Sequence, residues 1–283
     1  MDLKLKDTEH KVFFAKKWDA TAQEQKLNVG DTMSVGGNWD NFNNQDYLNI
    51  RDLTIDIDGA IDKALFIEKM EPDVQAKYEL AFEEFKGSVS NVDHIKLVKL
   101  IFNEDFCKNE FFVYPAGIQM HHSGIGGLLQ HTVEVCKIAL NIFETMMEWH
   151  SEMERSLLIT SALLHDIGKC TSYTIESGLP QIKHSEYMVG HAVFALEKIA
   201  IAEKVLKRKF NRIKHLICSH QGKREYGAVK TPAMKEAFIL HYADMLSGQF
   251  GVLDSLDYDS TGKAWYSGVN GYVFKSGELN VGN

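Results

Sequence analysis

The chain has 283 residues, of which 45% are hydrophobic and 25% charged, so it is long enough to bury a large core. Its net charge of −8 argues against a protein that coats nucleic acid by bulk attraction, although a local basic surface is still compatible with it. No apolar run reaches the roughly 18 residues of a membrane span, and four dispersed cysteines without a CxxC pair predict reduced thiols. We therefore expect a soluble, cytoplasmic protein that does not bind membranes.

The first 60 residues carry the signals of short strands. Strand-like patterns occur at 10–18, 31–36 and 45–57. The stretch GGNWDNFNNQD at 36–46 is rich in turn formers and predicts a loop between the last two. We expect a small β module over residues 1–65, with one of Phe13 and Phe14 in its core and Trp39 exposed in the loop.

From residue 71 onward the apolar residues recur with a helical period. Helices are predicted at about 71–86, 92–108, 127–149, 153–168, 184–203, 205–220 and 231–250, with a loop or hairpin at 171–183. The tail from residue 258 is polar and rich in turn formers. The predicted fold is mainly α, with a helical bundle over 66–258, the β module before it and a polar tail over 259–283.

Histidines concentrate in the predicted bundle, where ten of the twelve fall between residues 121 and 241. The sharpest motif is LLHDIGK at 163–169, in which an apolar helix ends in His165 and Asp166 before a glycine. A carboxylate at the buried end of a helix needs a partner, because burying it alone is costly. A divalent cation would supply that partner. The dipeptide alone is weak evidence, since a capping or salt-bridged Asp beside an unrelated His has the same sequence.

Two further apolar helices carry polar residues that extend this set. His131 lies on the predicted helix 127–149 and Asp244 on the helix 231–250. Gathered with His165 and Asp166 in a bundle core, they would offer two nitrogen and two oxygen ligands. That mixture suits Mn, Fe, Co, Ni or Zn better than Ca or Mg.

The two intervening helices carry His191 and His220, which would complete a second metal position with Asp166 as a bridge. The expected cofactor is one or two divalent transition-metal ions, with Mn²⁺ as the ion that we favour.

Basic residues crowd the stretch that follows His191. They are Lys204, Lys207, Arg208, Lys209, Arg212, Lys214, Lys223, Arg224 and Lys230. The stretch either lines a groove for nucleic acid or forms a solvated helix face. Lys223 and Arg224 are the predicted substrate contacts within it.

Five ordered motifs resemble the HD superfamily of metal-dependent phosphohydrolases. They are GLLQHT at 127–132, LLHDIGK at 163–169, GH at 190–191, SHQGK at 219–223 and ILHYAD at 239–244. The resemblance is greatest to YhaM-type 3′-5′ exoribonucleases, in which an OB module precedes the HD domain. It covers about 110–255, with HHSGIGGLLQHT as a further matching segment, and is weaker over 10–57.

The chain departs from this family in two places. The resemblance begins inside the OB region, which implies an OB-like module that is incomplete. Gln221 stands where the family tends to carry a second histidine, which leaves a mononuclear metal site as an alternative.

The resemblance also implies roles for individual residues. Metal ligands would be His131, His165, Asp166 and Asp244, with His191 and His220 at a second metal or the phosphate. Asp166 and Lys169 would act in catalysis, Lys169 by contacting the substrate phosphate. His122 is left between a phosphate contact and a hydrogen bond within its loop.

The implied activity is that of a 3′-5′ exonuclease on single-stranded RNA, with DNA as a further substrate, which releases nucleoside monophosphates by attack of a metal-bound hydroxide. One alternative is an HD phosphohydrolase that acts on small nucleotides or cyclic dinucleotides. Another is a non-catalytic, partner-binding protein with a residual metal site, against which the intact His165–Asp166 pair and Asp244 count. The expected partner is single-stranded nucleic acid or a nucleotide, and a homo-oligomer is left open.

Overall fold

The computed structural model describes residues 1–28, 30–42, 45–117, 122–176, 179–256, 258–259 and 261–275. It divides into two compact units: Met1–Lys69 together with Ile175–Gln181, and Met70–Thr174 together with Ile182–Asn283. Four local sequence predictions fall partly outside the described residues: the loop at 36–46, the histidine motif that begins at 121, the loop or hairpin at 171–183, and the tail.

The first unit contains the predicted small β module. Its sheet has the order β1 (Asp2–Lys6), β2 (Val12–Lys16), β4 (Gln45–Ile55), β3 (Met33–Phe42). The outer pairs are antiparallel, whereas β2 and β4 run parallel. Ala15, Leu48 and Ile50 are buried on one face, and Phe13 packs against them while Phe14 on the other face is 48% exposed. Alternation along β2 thus separates the two phenylalanines.

The predicted loop at 36–46 is wrong over most of its described length, because β3 continues through it to Phe42. The strand bends at a bulge between Gly36 and Gly37, where a Cβ on Gly37 would overlap with the backbone of Asn49. Trp39 therefore lies on a strand; it is 57% exposed, and its ring meets that of Phe13 edge-on at 5.4 Å. The loop was predicted because Gly, Asn and Asp are frequent in turns. In the structure these residues instead pair with residues of β4 in the sheet.

The second unit is helical. Its helices are α1 (Pro72–Gly87), α2 (Val92–Ile101), α3 (Glu104–Phe106), α4 (Gly127–Met147), α5 (Arg155–Leu164), α6 (Lys169–Ser172), α7 (His184–Met188), α8 (His191–Leu206), α9 (Asn211–Ser219) and α10 (Lys235–Asp254). Every residue of α5 from Ser156 to Leu164 is buried, and α4 packs against α1, α5 and α10. No described helix is both long and apolar enough to cross a membrane.

Several predicted bounds differ from the observed ones. The helix predicted at 184–203 is two helices, because Gly190 has a φ of 86° that L side chains rarely adopt. The helix predicted at 92–108 ends at Ile101 and is followed by α3 and a π-helical turn, Cys107–Phe111. The hairpin alternative for 171–183 is observed as β5 (Tyr173–Glu176) and β6 (Leu179–Ile182). The turn-rich tail contains an antiparallel pair, β7 (Lys263–Tyr266) and β8 (Gly271–Phe274).

Phe82 on α1 tests how the helical core is packed. It is fully buried, and its ring centroid lies 5.0, 5.2 and 5.6 Å from those of Phe102, Phe111 and Phe112. We expect Phe82→Ala to lower the free energy of unfolding by about 3–5 kcal/mol, because it leaves a cavity among these rings. Urea unfolding measures the loss. Phe82→Leu should cost clearly less, and equal costs for both variants would contradict the packing described.

Candidate metal centre

Four imidazoles and two carboxylates converge inside the second unit. His131 lies in the second turn of α4, Asp244 lies in the middle of α10, and His191 begins α8. The rest stand at helix ends: His165 and Asp166 follow α5, and His220 follows α9. The structure thus brings together all six residues that the sequence analysis selected as candidate ligands.

Three of these side chains form a first group. The Nε2 atom of His131 lies 3.1 Å from Oδ1 of Asp244 and 3.3 Å from Nε2 of His165, which is itself 3.8 Å from Asp244 Oδ1. Ligand atoms about 2.1 Å from a common ion lie roughly 3.0–3.5 Å from one another. The spacing of this group therefore matches that of a metal site.

Asp166 joins this first group to a second one. Its Oδ2 lies 3.4 Å from Nε2 of both His131 and His165, and its Oδ1 lies 3.5 Å from His191 Nε2 and 3.6 Å from His220 Nε2. Oδ1 is buried without a hydrogen-bond partner among the described residues. Such an atom is costly to bury, and a cation between Oδ1 and the two imidazoles would satisfy it. The residues present therefore fit a divalent metal.

Helix ends fix the orientation of two of the imidazoles. Nδ1 of His165 donates to the carbonyl oxygen of Ala162 at 2.7 Å, and Nδ1 of His220 donates to that of Ile217 at 2.6 Å. Because a carbonyl oxygen only accepts, Nδ1 carries the proton and Nε2 offers its lone pair to the cluster. In each case the acceptor lies three residues earlier on the ligand's own helix.

The other two imidazoles are held by side chains that sequence reasoning missed. Nδ1 of His191 donates to Oε1 of Glu186 at 3.0 Å, and Nδ1 of His131 lies 3.0 Å from the hydroxyl of Ser247. Ser247 donates in turn to Glu134 at 2.8 Å. A weak signal was available, since Ser247 and Glu134 each lie three residues after a candidate ligand on the same helix.

Burial and neighbouring charges shift the pKa values strongly. Burial raises the pKa of both carboxyl groups, but Lys169 and His165 hold that of Asp166 well below its usual range, and the hydrogen bond with His131 does the same for Asp244. Burial lowers the pKa of His131, yet its hydrogen bonds with the two carboxylates outweigh this and raise it to about 9. Both carboxylates are therefore ionised at neutral pH, and His131 carries a proton on Nε2 that a bound cation would have to displace.

Burial has the opposite result at His220, where it lowers the pKa to about 4 although the carboxylates of Asp244 and Asp166 oppose it. This imidazole is therefore neutral at physiological pH. A neutral imidazole is the form that binds metal ions.

The remaining predicted site residues lie around the cluster in different ways. Nζ of the buried Lys169 is 2.7 Å from Oδ2 of Asp166, so its ammonium group is at the centre. Nε2 of His122 lies 3.1 Å from Oε2 of Glu134 on α4, and its side chain is 5% exposed. Lys223 and Arg224 are exposed at a 3-10 turn.

Acidic partners neutralise several members of the basic stretch. The pairs are Arg208–Asp93 at 3.3 Å, Lys209–Glu203 at 3.3 Å, Lys214–Glu203 at 2.8 Å, Arg212–Glu154 at 2.6 Å and Lys223–Glu225 at 3.3 Å. Their positive charge is thus partly cancelled within the protein, which weakens the prediction of a nucleic-acid groove along this stretch.

Comparison with known families agrees with this geometry. Residues 128–248 match the family model of the HD domain. The chain contains an HD domain. All six clustered side chains lie inside the matched segment, and an HD domain implies a metal-dependent phosphohydrolase that binds divalent metals. No solved structure shows a significant similarity to the chain.

Gly168 tests how the HD domain positions His191. A Cβ at Gly168 would overlap with the carbonyl oxygen of His191 and lie 2.8 Å from the amide nitrogen of Ala195, so α8 approaches the end of α5 closely. We expect Gly168→Ala to cost about 1–3 kcal/mol of stability and to weaken Mn²⁺ binding, because α8 must move away from Asp166.

Urea unfolding and titration calorimetry with Mn²⁺ measure the two effects. Gly87→Ala is the matched control, since a Cβ there would meet no atom within 4 Å. A Gly168→Ala variant with the metal affinity and stability of the wild type would contradict the close approach.

Proposed function

We propose that the protein is a metal-dependent 3′-5′ exonuclease that degrades single-stranded RNA, with single-stranded DNA as a second substrate, to nucleoside monophosphates. The observation that carries the hydrolytic part is Asp166 in the HD domain, each of whose two carboxylate oxygens faces a pair of imidazoles. A bound divalent ion would neutralise phosphate charge and lower the pKa of a water molecule. Mn²⁺ suits the mixture of nitrogen and oxygen donors.

The side chains of the centre would have different roles in binding the metal and the phosphate. His131, His165 and Asp244 would hold one ion, and Asp166 with His191 and His220 would hold a second ion or orient the phosphate. The buried ammonium group of Lys169 would balance negative charge that develops on the phosphate oxygens.

The centre is partly exposed to solvent at two of its side chains. The side chain of Asp244 is 19% exposed and that of His191 is 13% exposed, whereas His131, His165, Asp166 and His220 are at most 3% exposed. The phosphate would therefore approach from the side of Asp244 and His191.

The solvent face of the β module supports a nucleic-acid substrate. The register places Lys4, Phe14 and Tyr47 side by side on neighbouring strands, and Nζ of Lys16 lies 5.6 Å from the centroid of the Tyr47 ring. Exposed aromatic rings stack on unpaired bases, while lysines beside them contact the phosphates. We propose that this face of the OB-like module binds single-stranded RNA.

A second candidate function is hydrolysis of small nucleotides or cyclic dinucleotides by the same centre. It is favoured by the ion pairs that neutralise much of the basic stretch at 204–214, since a long RNA would need free positive charge there. A small substrate needs only the buried centre itself.

Product analysis separates the two functions. With Mn²⁺ and 5′-labelled single-stranded RNA we expect a ladder that shortens by single nucleotides and releases monophosphates. His165→Ala and Asp166→Ala should abolish it, because each removes a ligand, whereas His150→Ala, an exposed histidine outside the cluster, should not.

Intact RNA together with hydrolysis of a nucleotide or cyclic dinucleotide would support the second function. No product with Mn²⁺, Co²⁺ or Ni²⁺ and no metal bound to the purified protein would contradict both.

The proposed binding face is tested without cleavage. In EDTA, Phe14→Ala should weaken binding of a fluorescent single-stranded RNA by about 1–3 kcal/mol, because one stacking surface is lost. Fluorescence anisotropy measures the affinity. Trp149→Ala is the control, since Trp149 is an exposed aromatic residue (69%) just beyond α4. Equal affinity for wild type and Phe14→Ala would exclude this face.

A further inference from the structure

His131 is oriented differently from the other three imidazoles. Its Nδ1 bonds to a hydroxyl group, that of Ser247, whereas theirs bond to carbonyl or carboxylate oxygens. A hydroxyl can donate or accept, so it does not by itself determine which nitrogen of the ring carries the proton. Something else must fix the direction of this bond.

Glu134 supplies that direction. The single hydroxyl proton of Ser247 is donated to Oε2 of Glu134 at 2.8 Å, so the Ser247 oxygen accepts from Nδ1–H of His131. Nδ1 therefore keeps its proton, and the proton that a metal ion would displace is the one on Nε2, the atom that faces Asp244 and His165.

Glu134 is itself well anchored as a carboxylate. Its Oε1 accepts from Nε2 of Gln130 at 2.9 Å and from the hydroxyl of Tyr78 at 3.5 Å, and its Oε2 lies 3.1 Å from Nε2 of His122. Burial raises the pKa of Glu134, but the hydrogen bonds from His122, Gln130 and Ser247 outweigh this and lower it to about 2. A charged acceptor therefore faces Ser247.

Helices α4 and α10 each contribute two side chains, three residues apart, to the metal centre and its hydrogen-bond network. On α4, Glu134 lies three residues after His131, and on α10, Ser247 lies three residues after Asp244. Each helix thus gives one side chain to the metal centre and, one turn later, one side chain to the network behind it. The contacts His131–Asp244, His131–Ser247 and Glu134–Ser247 join α4 to α10 at one level.

We propose that Ser247 and Glu134 are positioning residues of the metal centre. Glu134 orients the hydroxyl of Ser247, and Ser247 fixes the tautomer and ring orientation of His131 so that Nε2 points at the metal. This inference rests on the proposed metal-dependent function, and its test keeps the two apart.

Metal affinity is the first measurement. Titration calorimetry with Mn²⁺ should show binding about 10–100-fold weaker for Ser247→Ala than for the wild type, because the outer partner of a ligand is lost. Ser247→Thr keeps the hydroxyl and should bind within a few-fold of the wild type. Ser156→Ala, another buried serine that accepts a backbone hydrogen bond, controls for general destabilisation and should bind like the wild type.

A double-mutant cycle tests the relay itself. Glu134→Ala should weaken Mn²⁺ binding when it is the single substitution. In the Ser247→Ala background it should cause little further loss of Mn²⁺ affinity, because the chain of hydrogen bonds is already broken there. In protein loaded with diamagnetic Zn²⁺, ¹⁵N NMR of the His131 imidazole should show the proton on Nδ1.

The outcomes separate the two proposals. If the wild type binds no metal, the proposed function fails. If the wild type binds metal and Ser247→Ala binds it equally well, or if the effects of Glu134→Ala and Ser247→Ala are additive, the positioning role fails while the metal site stands.

Discussion

Two ionised carboxylates, Asp166 and Asp244, stand inside a helical bundle, and the arrangement around them follows from the cost of burying their charge. The ammonium group of Lys169 lies against Asp166, and His131, whose pKa is raised to about 9, is paired with both carboxylates. The imidazoles of His165, His191 and His220 also face Asp166. The helix α5 is buried from Ser156 to Leu164, and it ends directly before His165 and Asp166, whose carboxylate is shared by both groups.

The surrounding structure controls where the protons of the imidazoles sit. In every case Nδ1 is turned towards an oxygen outside the cluster, so that all four Nε2 atoms face inward. A cluster with random tautomers would present N–H groups to one another and repel a cation. The outer hydrogen bonds thus make the difference between a group of polar residues and a site ready to bind a metal.

The sequence was most informative where polar residues interrupt apolar helices. His131, Asp244 and the His165–Asp166 pair were selected because each needed a partner once buried, and the structure brings them together. The supporting residues could not be selected in this way, because an isolated serine or glutamate is ordinary on any helix. The predicted bounds of helices were wrong where one backbone angle ends a helix, as at Gly190. The predicted bounds of a strand were wrong where Gly and Asn occur inside it, as in β3. The preferred metal and the substrate depend on the distances between ligand atoms and on the shape of the site, which a sequence motif does not specify.

The hydrogen bonds of His165 and His220 to carbonyl oxygens of their own helices have a consequence for how such a site can diverge. A backbone acceptor is kept when its side chain is substituted, so the outer hydrogen bonds of these two ligands do not depend on the identity of residues 162 and 217. The outer partners of His131 and His191 are side chains, and single-codon changes can alter them. Evolutionary adjustment of ion preference would therefore act through those side chains while the backbone acceptors stay the same.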